Sequence, residues 1–107
     1  MADNPWMKCV TLTNANQNYN LLALMQAVDS RAPISCHILQ LQLDPAAGSA
    51  KLRILNQDGS DTNWGIQIVA SQAFQVNSSG TNSVPIGNYW LRCSVAGRIV
   101  GVFALVT

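Results

Sequence analysis

The reactive side chains are few, and their spacing decides what they can do. The chain carries three cysteines, Cys9, Cys36 and Cys93, and a single histidine, His37. Thiolates and an imidazole are the donors of structural zinc sites. A thiol beside a base and an orienting third group is also a nucleophile. Neither arrangement is written here. No two of these residues share the loop spacing that structural zinc sites use. Cys36 and His37 are adjacent at the start of a predicted strand, so they point to opposite faces. Asp58 and Asp61 are the one close pair of acids, and acid–base work needs such a pair. They fall in a turn over residues 56–61 that contains Asp-Gly, where turn preference accounts for Asp. A calcium loop needs more oxygens at a tighter spacing. No glycine-rich phosphate loop is present. The sequence therefore predicts no catalytic residue, no metal, no cofactor and no enzyme.

The aromatic residues are the better candidates for recognition. Trp64 is in register with Ile66 and Ile68, which reads as core. Trp90 alternates with the face formed by Tyr89, Leu91 and Cys93, so it points the other way. It lies either under a helix or in an interface. Trp6, beside Pro5, is a candidate partner anchor, because Trp is favoured at interface centres. Its other reading is a plug that pins the N-terminus to its own domain. Trp6 and Trp90 are thus the candidate partner-binding residues.

The elements that must position these residues follow from composition and period. A length of 107 residues suits one domain. Charged residues are 10% of the chain, against roughly 25% in an average soluble domain. All five acids are Asp, and ten Asn and eight Gln supply much of the polarity. Amides can be buried against a partner without the desolvation cost of a charge. A net charge of +1 gives little protection against self-association. These features describe a surface meant to be covered. Near-neutral charge without a basic cluster argues against nucleic acid. The longest apolar stretch, residues 99–106, is far short of the roughly 20 needed to cross a bilayer as a helix. No signal peptide is visible at the start. An odd number of widely spaced cysteines predicts free thiols and a reducing compartment.

Residues 1–7 read as an N-terminal arm, and 8–107 as a single β-rich domain. Val10 and Leu12 share one face of a first strand over 8–13. Asn20 is an N-cap candidate, followed by Leu21, Leu24, Met25 and Val28 on one face of the one short helix. Pro33 bars its continuation. The period then changes to two. Leu39, Leu41 and Leu43 alternate with glutamines, and Ala50, Leu52 and Ile54 alternate with Lys51 and Arg53. These two runs read as a hairpin across the turn at 44–49. Ile66 and Ile68, then Phe74 and Val76, mark two more strands. Pro85 keeps residues 84–86 at a sheet edge or outside the ladder. The last strand, 98–106, is apolar on both faces: Ile99, Phe103 and Leu105 on one, Val100, Val102 and Val106 on the other. One face then belongs to the core, and the other needs a second layer, the helix or a neighbouring subunit. About seven or eight strands at regular spacing predict a mainly β fold, a small antiparallel β-sandwich or jelly-roll-like domain with one short helix.

Four segments carry a family resemblance. They are Val10-Thr11-Leu12-Thr13, the run from Tyr19 through Leu21, Leu24 and Met25 to Asp29, Ala47-Gly48-Ser49-Ala50-Lys51-Leu52, and the run from Trp64 through Ile66 and Ile68 to Phe74. In this order they resemble small virion structural proteins of tailed bacteriophages, in particular head decoration (cement) proteins. That resemblance implies self-association, with a homotrimer favoured, and docking onto the shell of a major capsid protein. It also implies residence in the virion after synthesis in the host cytoplasm. A tail or spike component of the virion is a related reading. The reading from a different class is a carbohydrate-binding β-sandwich module, with Trp6, Tyr89 and Trp90 as stacking platforms. The partners expected on these grounds are further copies of the chain and a capsid protein, with no nucleic acid and no membrane.

Overall fold

Alternation of buried leucines with amides sets the first sheet. Leu39, Leu41 and Leu43 are fully buried, while Gln40 and Gln42 face away from the core. The computed structural model describes residues 4–55, 66–78 and 84–106. Its strands are β1 (Asn4–Leu12), β2 (Asn18–Asn20), β3 (Ser35–Cys36), β4 (Ile38–Leu43), β5 (Lys51–Leu55), β6 (Ile66–Val69), β7 (Ala73–Asn77), β8 (Val84–Pro85), β9 (Trp90–Cys93) and β10 (Arg98–Val106). One helix, α1 (Leu21–Val28), follows β2 directly. Trp64, Asp58 and Asp61 lie outside the described residues.

Two four-stranded antiparallel sheets enclose the core, in the orders β1-β10-β4-β7 and β2-β9-β5-β6. The pair β3-β8 forms a separate two-residue ladder. With that ladder set aside, the remaining strands run first-eighth-third-sixth in one sheet and second-seventh-fourth-fifth in the other. This is the strand order of a jelly roll. The inner faces meet through Val10, Leu41 and Val100 on one side and Leu52, Leu91 and Cys93 on the other, all buried.

The expected hairpin between the Leu39–Leu41–Leu43 and Leu52–Ile54 runs does not form. β4 and β5 lie in opposite sheets. From opposite sheets their leucines are buried in the same core. The crossing is built by a 3-10 turn, Pro45–Ala47. Asp44 caps it by accepting from the Ala46 amide at 2.8 Å. Gly48 leaves it at φ 63°, a conformation that side chains disfavour.

Of the expected arm over residues 1–7, residues 4–7 belong to a strand. From Asn4 onward the chain is already strand, and Asn4 is paired with Val106. Pro5 hid this, because proline is rare in ladders, but β1 is an edge strand, where the missing N–H is tolerated. Trp6 points inward opposite the small Ala104 and is only 8% exposed.

The helix is capped as its sequence predicts. Asn20 Oδ1 accepts from the Ala23 amide at 3.1 Å. Its Nδ2 donates to the Gly87 carbonyl at 2.8 Å. Leu21 and Met25 are fully buried, and Val28, expected on the same face, is exposed. At the far end, Asp29 ties helix to strand. Trp6 Nε1 donates to Asp29 Oδ2 at 3.0 Å, and Lys8 Nζ lies 3.3 Å from the same oxygen.

Asp29's carboxyl is held below its ordinary value of 3.8, first by the Arg31 backbone N–H, then by the Trp6 indole, with Lys8 adding to both. A depressed folded-state pKa contributes stability that is present above pH 3.8 and is lost as pH falls through the lower folded value. Asp29→Asn is expected to flatten the acid end of the stability–pH curve and leave the neutral-to-basic end parallel to the parent's. Urea melts between pH 2 and pH 7 check this. An acid limb identical to the parent's would contradict the assignment.

Candidate functional site

The apolar second face of β10 is the feature that the core does not absorb. Val100, Val102 and Ala104 point inward and are buried. Ile99, Phe103 and Leu105 therefore point out of the sheet. Register extends them into rows across the neighbouring strands. Met7, Phe103, Gln40 and Gln75 form one row, and Pro5, Leu105, Ile38 and Asn77 the next. Cys9, Gly101, Gln42 and Ala73 form a third. Not one outward position of these four strands carries a charge. Met7 is 66% exposed and Ile99 40%.

A groove of about 280 Å³ runs over this face, lined by residues of β1, β4 and β10, among them Met7, Cys9, Gln40, Gln42 and Phe103. Gly101 forms part of its lining. A glycine inside a strand marks a place where another chain can approach closely. No conformational need explains it, because it is not among the glycines with positive φ.

The outer face has the composition of an interface centre. Such centres are depleted of charge and rich in aromatic residues and methionine. Gln40, Gln42 and Gln75 make the face polar without charge, with Gln42 Nε2 donating to the Ser71 carbonyl at 3.2 Å and Gln75 Nε2 to Asn77 Oδ1 at 2.9 Å. The helix packs on β1, β2 and the turn at Ile86–Asn88, so it leaves this face open.

The residues singled out from sequence are dispersed. Trp6 presents almost no surface to a partner. It fills the plug role, with its indole N–H on Asp29. Trp90 lies half-buried on the outward side of the second sheet, between Asn20 and Leu55. Tyr89 packs against the core, with its ring 6.4 Å from that of Phe74. The trio expected to stack sugars therefore does not share a face. The residues that do form a continuous surface, Met7, Gln40, Gly101 and Phe103, were signalled only by the two-sided apolarity of the last strand.

The thiols are all unpaired. Cys36 and Cys93 are buried, and Cys9 is exposed on the uncharged face. Burial pushes the Cys36 thiol up to about 11, which leaves little thiolate at neutral pH. Its neighbour His37 is engaged elsewhere, with Nδ1 3.0 Å from Ser78 Oγ. Among the described residues, no three His, Cys, Asp or Glu side chains gather to hold a metal.

Comparison with models of protein families, with curated proteins and with solved structures finds no match to this chain. The functional reading rests on the fold and its surfaces.

A Cβ added at Gly101 would have the Gln42 carbonyl oxygen as its nearest neighbour, at 3.9 Å, an ordinary contact. Gly101→Ala is therefore expected to fold, with stability unchanged or raised by up to about 1 kcal/mol from reduced unfolded-state entropy. Thermal melts measure this. A loss of more than about 1 kcal/mol would show that the fold, and not a visitor to the groove, requires the glycine.

Proposed function

We propose that this chain is a virion structural protein, a decoration protein that self-associates and binds the major capsid protein shell of a phage head. The observation that supports this reading most is the uncharged outer face of the sheet β1-β10-β4-β7. A freely soluble monomer seldom keeps large apolar side chains together on one open sheet face. In this proposal the face meets a second copy in a closed homo-oligomer, with a trimer favoured. Oligomers with closed symmetry repeat the same contact without leaving it open to fibre growth.

The fold is compatible with that role. Double-sheet jelly rolls recur in viral capsid and lectin domains, although fold alone does not assign function. The resemblance of the Tyr19–Asp29 and Trp64–Phe74 segments to head decoration proteins points the same way. Decoration also suits weak individual contacts, because an oligomer that engages several capsid subunits gains through effective concentration.

Phe103→Lys places a charge in the middle of the face without touching the core. It is expected to reduce the oligomer to monomer in sedimentation velocity while far-UV circular dichroism stays native. An antibody against the chain is expected to label the heads of virions in negative stain. An oligomer unaffected by Phe103→Lys would remove this face from the interface, and label on tails alone would replace the head assignment.

A further inference from the structure

The outer face of the second sheet has the opposite character. Three of the chain's six basic residues, Lys51, Arg53 and Arg92, point out of β5 and β9. The inward positions between them, Leu52, Ile54, Leu91 and Cys93, are buried. The strands β2, β9, β5 and β6 contain no acidic residue. The chain's described acids, Asp29 and Asp44, follow α1 and β4.

Arg53 and Arg92 are directly opposed in the ladder. Side chains so placed start about 5 Å apart, and like charges there destabilise the sheet. The opposition is not relieved from within the sheet. Arg92 Nη1 donates to the Asn18 amide oxygen at 3.3 Å, an orienting contact without charge. On the other flank, the partner of Arg53 is Gln67, which is also neutral. Asn18, Arg92, Arg53 and Gln67 thus form one row across all four strands. Trp90 stands beside the row on the same face. Two arginines opposed in register and set among amides can each take a carboxylate in bidentate fashion.

We infer that this face docks an acidic segment of a protein partner, with Arg53 and Arg92 taking its carboxylates. The inference rests on the assembly reading above for the kind of partner, and it deepens that reading by naming the partner's chemistry. Charge complementarity carries the choice. A nucleic acid presents a charge about every 1.7 Å and is held by many cations, whereas this face offers three within a chain of net charge +1. A short run of Asp or Glu matches the two-guanidinium row more closely. The two faces then divide the work, with one sheet joining copies and the other meeting the shell.

The test is fluorescence anisotropy with a labelled octaglutamate peptide and the full-length chain at low salt. The parent is expected to bind. Arg53→Gln and Arg92→Gln should each weaken binding about three- to fivefold, the range of an exposed charge pair. Arg31→Gln, at an exposed position after the helix, should not. Arg53→Gln should also raise the melting temperature of the free protein, because it removes the like-charge opposition. A melting temperature lowered by Arg53→Gln, with peptide binding unchanged, would show that the arginine stem only covers apolar surface and would overturn the inference. So would failure of the parent to bind, an equal loss from Arg31→Gln, or tighter binding of a thymidine octamer than of the peptide. None of these outcomes alters the oligomer that tests the uncharged face, so the two proposals fail separately.

Discussion

Strand β10 carries the constraint on which the structure depends. It lies inside its sheet, hydrogen-bonded to β1 on one side and β4 on the other, and both of its faces are apolar. Its inward set, Val100, Val102 and Ala104, closes against the leucines of β4 and the opposing sheet. The two-residue side-chain period then forces Ile99, Phe103 and Leu105 to the outside. A one-residue slip would exchange the two sets and put Val100, Val102 and Ala104 outside instead. The outward face is therefore a consequence of the sequence of this strand.

The edges of that sheet show how such a surface is kept from indiscriminate pairing. β1 is a nine-residue edge strand, long enough to template another chain. Pro5 removes a ladder donor near its start, and the inward-pointing Lys8 pairs with Asp29. Both are recognised protections of edge strands. The charges that the outer face of the first sheet lacks are gathered on the outer side of the second, at Lys51, Arg53 and Arg92, so the two outer faces offer different chemistry.

Much of the local structure was legible in the sequence. The N-cap at Asn20, the helix face of Leu21 and Met25, and the inward sets of β4, β5 and β9 follow from period and capping. The failures were long-range. Leu39–Leu43 and Leu52–Ile54 alternate as hairpin strands do, and nothing local shows that the 3-10 turn at Pro45 carries the chain to the other sheet. The environment of Trp6 is set by Ala104 and Asp29, far away in sequence. The uncharged face was half-legible: β10 announced it, but the glutamines of β4 and β7 that complete it became visible only once register placed them beside Phe103. The Arg53–Arg92 opposition is a product of register alone.

The central claim is that the uncharged face of β1-β10-β4-β7 is covered in the working protein, and Cys9 reports on it directly. The thiol lies on that face, opposite Gly101, and the other two cysteines are buried. The measurement is the rate of Cys9 alkylation in the native protein, followed by mass spectrometry as protein concentration is raised. The account predicts alkylation slower than in the unfolded chain, and slower still as concentration rises, because copies close over the face. A rate equal to that of the unfolded chain at every concentration would mean that the face stays open to water, and would contradict the account.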